Sequence, residues 1–281
     1  MAKSSLYVRF RRCCQIINSL FMIKALFFDI DGTLVSFNTH HIPQSAVDAI
    51  SEAKRRGVGV YISTGRPVRL INNLGQIEHL IDGYITANGS CCMVGNKVVS
   101  CISIPEAEAR ALVGAADREG FAMLVVGERD LTVRNDNAEV DRLFRRMLNV
   151  SNLGEDIDVE DVLSQRIIQL TPIIDMPAER RLMPLLPHCV SARWYPDFTD
   201  ITARGADKGS ALRTMAAYLG LDVSETMAFG DGGNDRSILR EAGVGVAMGN
   251  AADDVKAVAD YVTTSVDDDG ISNALRRFGV I

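Results

Sequence analysis

The sequence predicts an α/β fold, in which a mostly parallel, doubly wound sheet carries a second, α+β domain as an insertion. Two observations support this prediction. Short apolar segments such as 23–28 and 58–62 alternate with amphipathic helical segments, as expected for strands buried on both faces of a parallel sheet. Between about residues 89 and 199 the alternation is replaced by a hairpin signal, short strands and helices, and it then resumes.

The first part of the core is predicted as an alternation of strands and helices. The predicted elements are a strand over 23–28, a helix over 45–56, a strand over 58–62, a helix beginning at Pro67, and a strand over 83–86. Gly57 marks the end of the first helix, and proline is favoured in a first helical turn. Strands and helices in this alternation predict a Rossmann-like half sheet.

The insertion and the second part of the core are distinguished by their patterns. A hairpin with Gly95-Asn96 at its turn opens the insertion, and short strands and helices follow it. The core pattern then returns as a helix over 208–219, a strand over 226–229, a helix over 236–242, a strand over 244–248, a helix over 252–258 and a strand over 261–263. We therefore expect a core of residues 22–88 and 200–281, and an inserted domain of residues 89–199.

Composition narrows the class of protein. The chain of 281 residues has 30 basic and 36 acidic side chains, a net charge of −6 and an apolar fraction of 47%. This composition excludes a disordered chain and gives no basic surface for nucleic acid. No apolar run is long enough to cross a membrane. The six cysteines form no C-x-x-C motif, so we expect reduced thiols in a cytoplasmic protein, with no evident protein partner.

The first 21 residues differ from the rest of the chain. Residues 1–21 carry basic side chains and no acidic one, and Met22 directly precedes the first predicted strand. We interpret this segment as an extension outside the fold. A targeting segment is the alternative, although polar residues interrupt its apolar stretch and no small-residue cleavage site follows.

Polar side chains cluster at the ends of three predicted strands. Asp29 and Asp31 follow the first strand, Thr64 and Gly65 the second, and a third cluster of Asp231, Asn234 and Asp235 follows the strand over 226–229. Because ligands bind at the carboxyl ends of strands in open parallel sheets, we expect these clusters to meet at one edge.

The chemistry of such an edge indicates phosphate and a metal ion. Four carboxylates brought together repel one another, and a divalent cation relieves the repulsion. Oxygen ligands favour Mg²⁺. Lys208, Thr64 and backbone amides add donors for an anion, so the set as a whole predicts a phosphoryl-transfer site.

Four motifs in order resemble those of the haloacid dehalogenase-like phosphatases. They are Asp29-Ile30-Asp31-Gly32-Thr33-Leu34, Ser63-Thr64-Gly65-Arg66, Lys208 before Gly209, and Gly230-Asp231-Gly232-Gly233-Asn234-Asp235. The insertion between the second and third motifs resembles the cap of the Cof-type branch, subclass IIB. One short motif is weak, but four in this order are specific together.

The resemblance implies roles by position. Asp29 would be the nucleophile that forms an aspartyl-phosphate, and Asp31 the general acid and then the base. Mg²⁺ would be held by the Asp29 carboxylate, the Asp31 main-chain carbonyl and Asp231, with Asp235 close by or acting through water. Lys208 would offset negative charge.

The remaining site residues are donors and substrate contacts. Thr64, the Gly65 amide, Lys208 and Asn234 would bind phosphate, and Arg66 and Asn88 are candidate substrate contacts. Several have plainer interpretations: Thr64 as a helix cap with Ser63 as the phosphate contact, Asp235 as a partner of a helix N-terminus, Arg66 in a surface ion pair, Asn88 in a hinge turn, and His40 and His41 as solvated loop residues.

Three functions are compatible with these residues. The first is a Mg²⁺-dependent phosphatase for a small phosphorylated metabolite such as a sugar phosphate. The second is a phosphomutase, which would keep the same aspartate pair. The third is a non-catalytic sugar-phosphate binder, which would have no need for the acid Asp31. We expect the cap to close over the core and set specificity.

Overall fold

The structure, a computed structural model, describes residues 22–281 except 149 and 151. The extension predicted for residues 1–21 lies outside the described residues. Within the described chain, no helix is both long and apolar enough to cross a membrane. The strands fall into two sheets, one of eight strands and one of five.

The larger sheet forms the core. Its strands are β1 (Ala25–Phe28), β2 (Gly59–Ser63), β3 (Gly83–Thr86), β4 (Cys91–Val94), β5 (Lys97–Cys101), β11 (Thr226–Gly230), β12 (Val244–Ala247) and β13 (Tyr261–Val262). Their order is β13-β12-β11-β1-β2-β3-β4-β5. The pairs from β13 to β3 are parallel, and β4 and β5 are antiparallel. The predicted α/β fold class is thereby confirmed.

The smaller sheet is built from the intervening segment. Its strands are β6 (Met123–Gly127), β7 (Leu131–Arg134), β8 (Ile167–Pro172), β9 (Cys189–Tyr195) and β10 (Phe198–Ala203), in the order β7-β6-β8-β10-β9. All of its pairs are antiparallel.

Helices cover both faces of the core sheet. The helices are α1 (Gln44–Arg55), α2 (Glu106–Glu119), α3 (Ala138–Val140, continued by a π-helical segment Asp141–Met147), α4 (Val159–Leu163), α5 (Met176–Leu182), α6 (Lys208–Leu219), α7 (Arg236–Glu241), α8 (Asp253–Lys256) and α9 (Gly270–Arg277). Buried side chains of α1 and α9 pack on one face of the core sheet, and those of α6, α7 and α8 pack on the other. This arrangement is a doubly wound sheet.

Burial on both faces explains why the first core strand, β1, is wholly apolar. Leu26 and Phe28 of β1 point into the cluster under α1, whereas Ala25 and Phe27 point into the cluster under α6. All four are fully buried. A fully buried Leu or Phe side chain contributes about 1.5–3 kcal/mol. The first strand is therefore a rigid base for the polar residues that follow it.

One local prediction is wrong, and two segments join a different sheet from the one that we expected. The helix expected at Pro67 is only a 3-10 turn, Val68–Leu70. The hairpin of β4 and β5, which we had placed in the insertion, pairs with β3 in the core sheet. Residues 200–203, which we had placed in the core, lie in β10 of the smaller sheet.

These sheet memberships change where the two predicted domains would meet. The segments that pass between the sheets are 102–105 and 204–207. The turn at Asn88-Gly89 joins two strands of one sheet, so it is not a connection between the sheets. The division into core and cap stays a prediction. The last residue of the larger sheet before the smaller one begins is Cys101, and the last residue of the smaller sheet is Ala203.

Candidate active site

The nucleophile predicted from the sequence, Asp29, lies directly after β1. Its backbone N–H donates to the carbonyl of Phe229 at 3.1 Å, which ties it to the end of β11. Its carboxylate Oδ1 accepts a hydrogen bond from Lys208 Nζ at 2.7 Å. The side chain of Asp29 is 10% exposed. One oxygen is thus held by the lysine at the closed end of the site.

Lys208 is the first residue of α6, and its side chain is fully buried. The carboxylate of Asp207 caps this helix by accepting from the backbone N–H groups of Gly209 and Ser210 at 2.9 Å each. Lys208 Nζ bridges Asp29 and Asp235, at 2.7 and 2.6 Å. Burial disfavours the ammonium, but the two carboxylates outweigh burial and raise the pKa of Lys208.

Asp231 and Asp235 occupy the turn after β11. Asp235 Oδ2 accepts from the backbone N–H groups of Asp231 and Gly232 at 3.1 and 2.9 Å. The chain passes so close at Gly230 that a Cβ there would lie 2.4 Å from Asp235 Cβ. Glycine at position 230 therefore lets Asp235 fold back beneath the turn and point its other oxygen at Lys208.

Three carboxylates meet at this edge. Asp29, Asp231 and Asp235 each place an oxygen within 4.8 Å of the other two. Burial, and next the charge of Asp235, raises the pKa of Asp29 well above its usual range and that of Asp231 to about 7. A hard cation ligated by oxygens would relieve this repulsion, so the donor set fits Mg²⁺.

Asp31 stands apart from that cluster, because its carboxylate pairs with Arg66. The guanidinium binds both oxygens, with Nε 2.7 Å from Oδ2 and Nη2 2.8 Å from Oδ1. A third donor, Nη1 of Arg66, reaches the carbonyl of Leu70 at 3.1 Å. A bidentate pair of this kind fixes the plane of the carboxylate. The structure thus pairs the predicted acid, Asp31, with a predicted substrate contact, Arg66.

The predicted phosphate donors surround the same edge. Thr64 is buried, and its Oγ1 accepts from the backbone N–H of Arg66 at 3.1 Å, as a local cap would. The Oγ of Ser63 is buried without a hydrogen-bond partner within the described chain. Both interpretations of the second motif thus stay open. A Cβ at Gly65 would lie 3.1 Å from Asn88 Oδ1, so glycine lets the Asn88 side chain lie close against the second motif.

Asn88 and Asn234 form one unit. Asn234 Nδ2 donates to Asn88 Oδ1 at 2.9 Å and so links the turn after β3 to the turn after β11. Ala87 and Asn88 both adopt positive φ, 49° and 54°. Such conformations are costly for residues other than glycine and concentrate at functional sites. His40 and His41, by contrast, are exposed.

Two residues of the site escaped the sequence analysis as functional candidates. Thr33 Oγ1 donates to Asp231 Oδ1 at 2.9 Å, and Asn250 Nδ2 donates to the carbonyl of Gly32 at 2.9 Å. Thr33 belongs to the first motif, and Asn250 follows the end of β12 at the same sheet edge. Both residues could have been found from the rule that ligand-binding residues lie at the carboxyl ends of strands in an open parallel sheet.

A family model described as haloacid dehalogenase-like hydrolase matches residues 26–275. The chain belongs to the haloacid dehalogenase-like hydrolases. YkrA of Bacillus subtilis (strain 168) is 32% identical over 262 residues, covering 92% of this chain and 98% of YkrA. The solved structure of BT4131, a subclass IIB sugar phosphatase, is 45% identical to this chain with a TM-score of 0.85, and the match covers 92% of this chain and 100% of BT4131.

The resemblance stated from the four motifs is therefore confirmed. A further relative in Bacillus subtilis (strain 168), named 5-amino-6-(5-phospho-D-ribitylamino)uracil phosphatase YcsE, is 29% identical over 267 residues, covering 91% of this chain and 96% of YcsE. This haloacid dehalogenase-like hydrolase is an enzyme of the phosphatase class, as the sequence predicts. The roles of its individual site residues remain predictions.

Proposed function

We propose that this hydrolase releases phosphate from a small sugar phosphate through an aspartyl-phosphate on Asp29, with Mg²⁺ as cofactor. The observation that supports this most directly is the different placement of two aspartates. Asp29 lies against Lys208 inside the site, and Asp31 lies at its partly exposed side, held by Arg66.

In the first step, a carboxylate oxygen of Asp29 attacks phosphorus, and the bond from phosphorus to the substrate's ester oxygen breaks. Asp31 donates its proton to that oxygen, so the product leaves as a neutral alcohol. Lys208 stabilises the added negative charge. It is held by hydrogen bonds to Asp29 and Asp235, and the first of these bonds keeps the carboxylate of Asp29 in place. Charge stabilisation of this kind dominates phosphoryl transfer.

In the second step, water attacks the phosphorus of the aspartyl-phosphate. Asp31, now ionised, takes a proton from that water, and the bond between phosphorus and Asp29 breaks. Inorganic phosphate leaves, and both aspartates return to their starting states. Splitting one displacement into two in this way is the advantage of a covalent intermediate.

The other predicted contacts complete the proposal. Thr64, the Gly65 amide, Lys208 and Asn234 would hold the phosphoryl oxygens. Mg²⁺ would be held by Asp29, the Asp31 carbonyl and Asp231, with Asp235 beneath them; it would neutralise phosphate charge and orient the oxygens for in-line attack.

The segment of the smaller sheet would act as the cap. Arg69, which follows the second motif, donates to the carbonyl of Arg129 at 2.8 Å and to Asp130 Oδ1 at 2.5 Å. Arg129 and Asp130 lie in the loop between β6 and β7. This contact joins the rim of the site to the smaller sheet, where a closed cap would exclude water.

The substrate class rests on the similarity to BT4131, which is titled a sugar phosphatase. YcsE, named for another phosphate ester, shares less sequence identity with this chain. Both esters have alcohol leaving groups that need a proton, which agrees with the role proposed for Asp31.

A panel of phosphate esters tests the proposal. The purified enzyme with Mg²⁺ should release inorganic phosphate from hexose and pentose phosphates faster than from nucleotides. Removal of Mg²⁺ by a chelator should abolish release, and Mg²⁺ should restore it. An isomeric ester without free phosphate would instead identify a mutase. Absence of phosphate release from every ester would contradict the proposed activity.

A further inference from the structure

A pair of cysteines lies outside the proposed chemistry, at the edge of the core sheet. Cys91 begins β4 and Cys101 ends β5, and the two residues face each other directly in the antiparallel register. Cys91 is buried and Cys101 is partly exposed.

The hydrogen-bond pattern defines what kind of pair they form. The next pair outward is Ser90 with Ile102, and Ile102 N–H donates to Ser90 O at 2.7 Å. Because hydrogen-bonded and non-hydrogen-bonded pairs alternate along an antiparallel ladder, Cys91 and Cys101 form a non-hydrogen-bonded pair. Such pairs have Cα atoms about 4.5 Å apart and the closer side chains. This separation lies within the range of about 4.4–6.8 Å that a disulfide spans.

The surroundings favour one of the two sulfurs as the thiolate. The Cys91 side chain, and next the nearby Arg166 guanidinium, stabilise the thiolate of Cys101 and lower its pKa to about 7 against the effect of burial. The neighbouring Cys101 side chain and burial raise the pKa of Cys91. The more exposed sulfur is therefore the more ionised one, which is the arrangement found at reactive cysteines.

We propose that Cys91 and Cys101 form a redox site, a dithiol that peroxide converts reversibly to a cross-strand disulfide. The Cys101 thiolate attacks a peroxide oxygen, which forms a sulfenic acid and releases hydroxide. Cys91 loses its proton to that hydroxide, which gives the first water, and its sulfur attacks Cys101. The S–S bond forms, the S–O bond breaks, and the hydroxide that leaves takes up the proton that Cys101 released on ionising, which gives the second water. In total, two thiols are oxidised and one hydrogen peroxide is reduced to two waters.

The position of the pair gives the disulfide a structural consequence. Cys101 is the last residue of β5, and residues 102–105 then pass to the smaller sheet, where Ile104 bridges to Ile167. Cys91 packs in one cluster with Leu70 of the core and Leu124 of the smaller sheet. A disulfide would fasten the start of this connection to β4.

Peptide mapping tests the site in the full-length protein. Cleavage by trypsin after Arg69, Lys97 and Arg110 puts Cys101 alone on the peptide 98–110, whereas Cys91 and Cys92 share the peptide 70–97. After stoichiometric hydrogen peroxide, the two peptides should be linked with the loss of two hydrogen atoms, and dithiothreitol should separate them. Before oxidation, iodoacetamide should label Cys101 about tenfold faster than Cys92 at neutral pH, because burial raises the pKa of Cys92 to about 12.

Three variants make the test decisive. Cys92→Ser should still form the linked peptides, since Cys92 points to the opposite face of the strand and packs under α6. Cys91→Ser and Cys101→Ser should not form them, with circular dichroism confirming that each variant is folded. Loss of the link in Cys92→Ser, or oxidation of Cys101 to a sulfinic acid without any link in the parent, would overturn the proposal.

Discussion

Asp29 and Asp31 are separated by one residue, yet their environments differ in every respect that matters to chemistry. Asp29 is surrounded by two other carboxylates and one buried ammonium, and its pKa is raised. Asp31 is one-third exposed and bound by a planar guanidinium. The first environment suits a group that takes up a phosphoryl group beside a cation. The second fixes the plane of a carboxylate at the partly exposed side of the site.

The two cations differ in the same way. Lys208 is a point charge, fully buried, and bridges two carboxylates from different turns. Arg66 donates from Nε and Nη2 to a single carboxylate and from Nη1 to a carbonyl. A lysine is suited to offset charge at one point, whereas an arginine is suited to fix an orientation. We therefore expect substitutions in the pair Asp29 and Lys208 to have different kinetic effects from substitutions in the pair Asp31 and Arg66.

Asp29→Asn is expected to have the largest effect. An amide does not attack phosphorus, so turnover should fall by roughly 10⁴-fold or more for every ester. Steady-state phosphate release measures the loss, and Asp48→Asn, at an exposed position of α1, is the matched control. A variant within tenfold of the parent would remove Asp29 as the nucleophile.

Asp31→Asn should reduce turnover by roughly 10²- to 10⁴-fold on alkyl phosphates, the usual size of a general acid–base contribution. Aryl phosphates should lose less in their first step, because an aryl oxide leaves without a proton. The two ester classes are compared by kcat/KM, which reports the first irreversible step. Equal losses on both would contradict the acid role.

Arg66→Lys keeps the charge next to Asp31 and removes the bidentate geometry. We expect roughly a tenfold fall in kcat/KM for alkyl phosphates and little change for aryl phosphates, because only the former depend on the orientation of the acid. Arg55→Lys, on the exposed side of α1, is the control. A rise in KM shared by both ester classes would show instead that Arg66 acts through direct substrate binding.

The sequence was sufficient for the parts of the molecule that obey local rules. Apolar strands followed by Asp29, Thr64 and Asp231 were recognised because a parallel sheet places all its carboxyl ends at one edge. The pairing of Asp31 with Arg66 was not predicted, since it depends on how the turn at Val68–Leu70 directs a side chain across the edge.

The sheet that each strand at the ends of the insertion would join was not predicted, for a related reason. A hairpin has the same sequence pattern whichever sheet it joins, and only the long-range pairing of β4 with β3 assigns it to the core. Strand β10 was missed because its buried Thr199, Asp200 and Thr202 resemble a loop in sequence. Asp200 is accommodated there because Gln169 and Thr171 of β8 donate to its carboxylate at 2.9 and 2.8 Å.

Asp231→Asn is expected to give the smallest of the measured changes. The change is a shift in stability, and it depends on pH. Burial and the charge of Asp235 raise the pKa of Asp231 to about 7 in the folded chain, against 3.8 for the ordinary group. Between these values the folded state holds a proton that the unfolded state has released. The metal-free parent therefore loses stability as pH rises through this window, and the cost is complete above pH of about 7.

Asparagine carries no such cost, and its side-chain oxygen can still accept from Thr33. In EDTA, the variant should melt a few degrees above the parent at pH of about 8, and the difference should shrink at pH of about 5. A stability difference of about 1–2 kcal/mol produces a shift of this size in a chain of this length.

With Mg²⁺ the order should reverse at the higher pH, because the parent gains a ligand-bound state and the variant loses a carboxylate ligand. Differential scanning fluorimetry at both pH values measures the shifts. A variant less stable than the parent in EDTA at the higher pH would show that Asp231 is ionised without cost. The carboxylates of Asp29, Asp231 and Asp235 would then not destabilise one another, and the contrast with the paired carboxylate of Asp31 would be wrong.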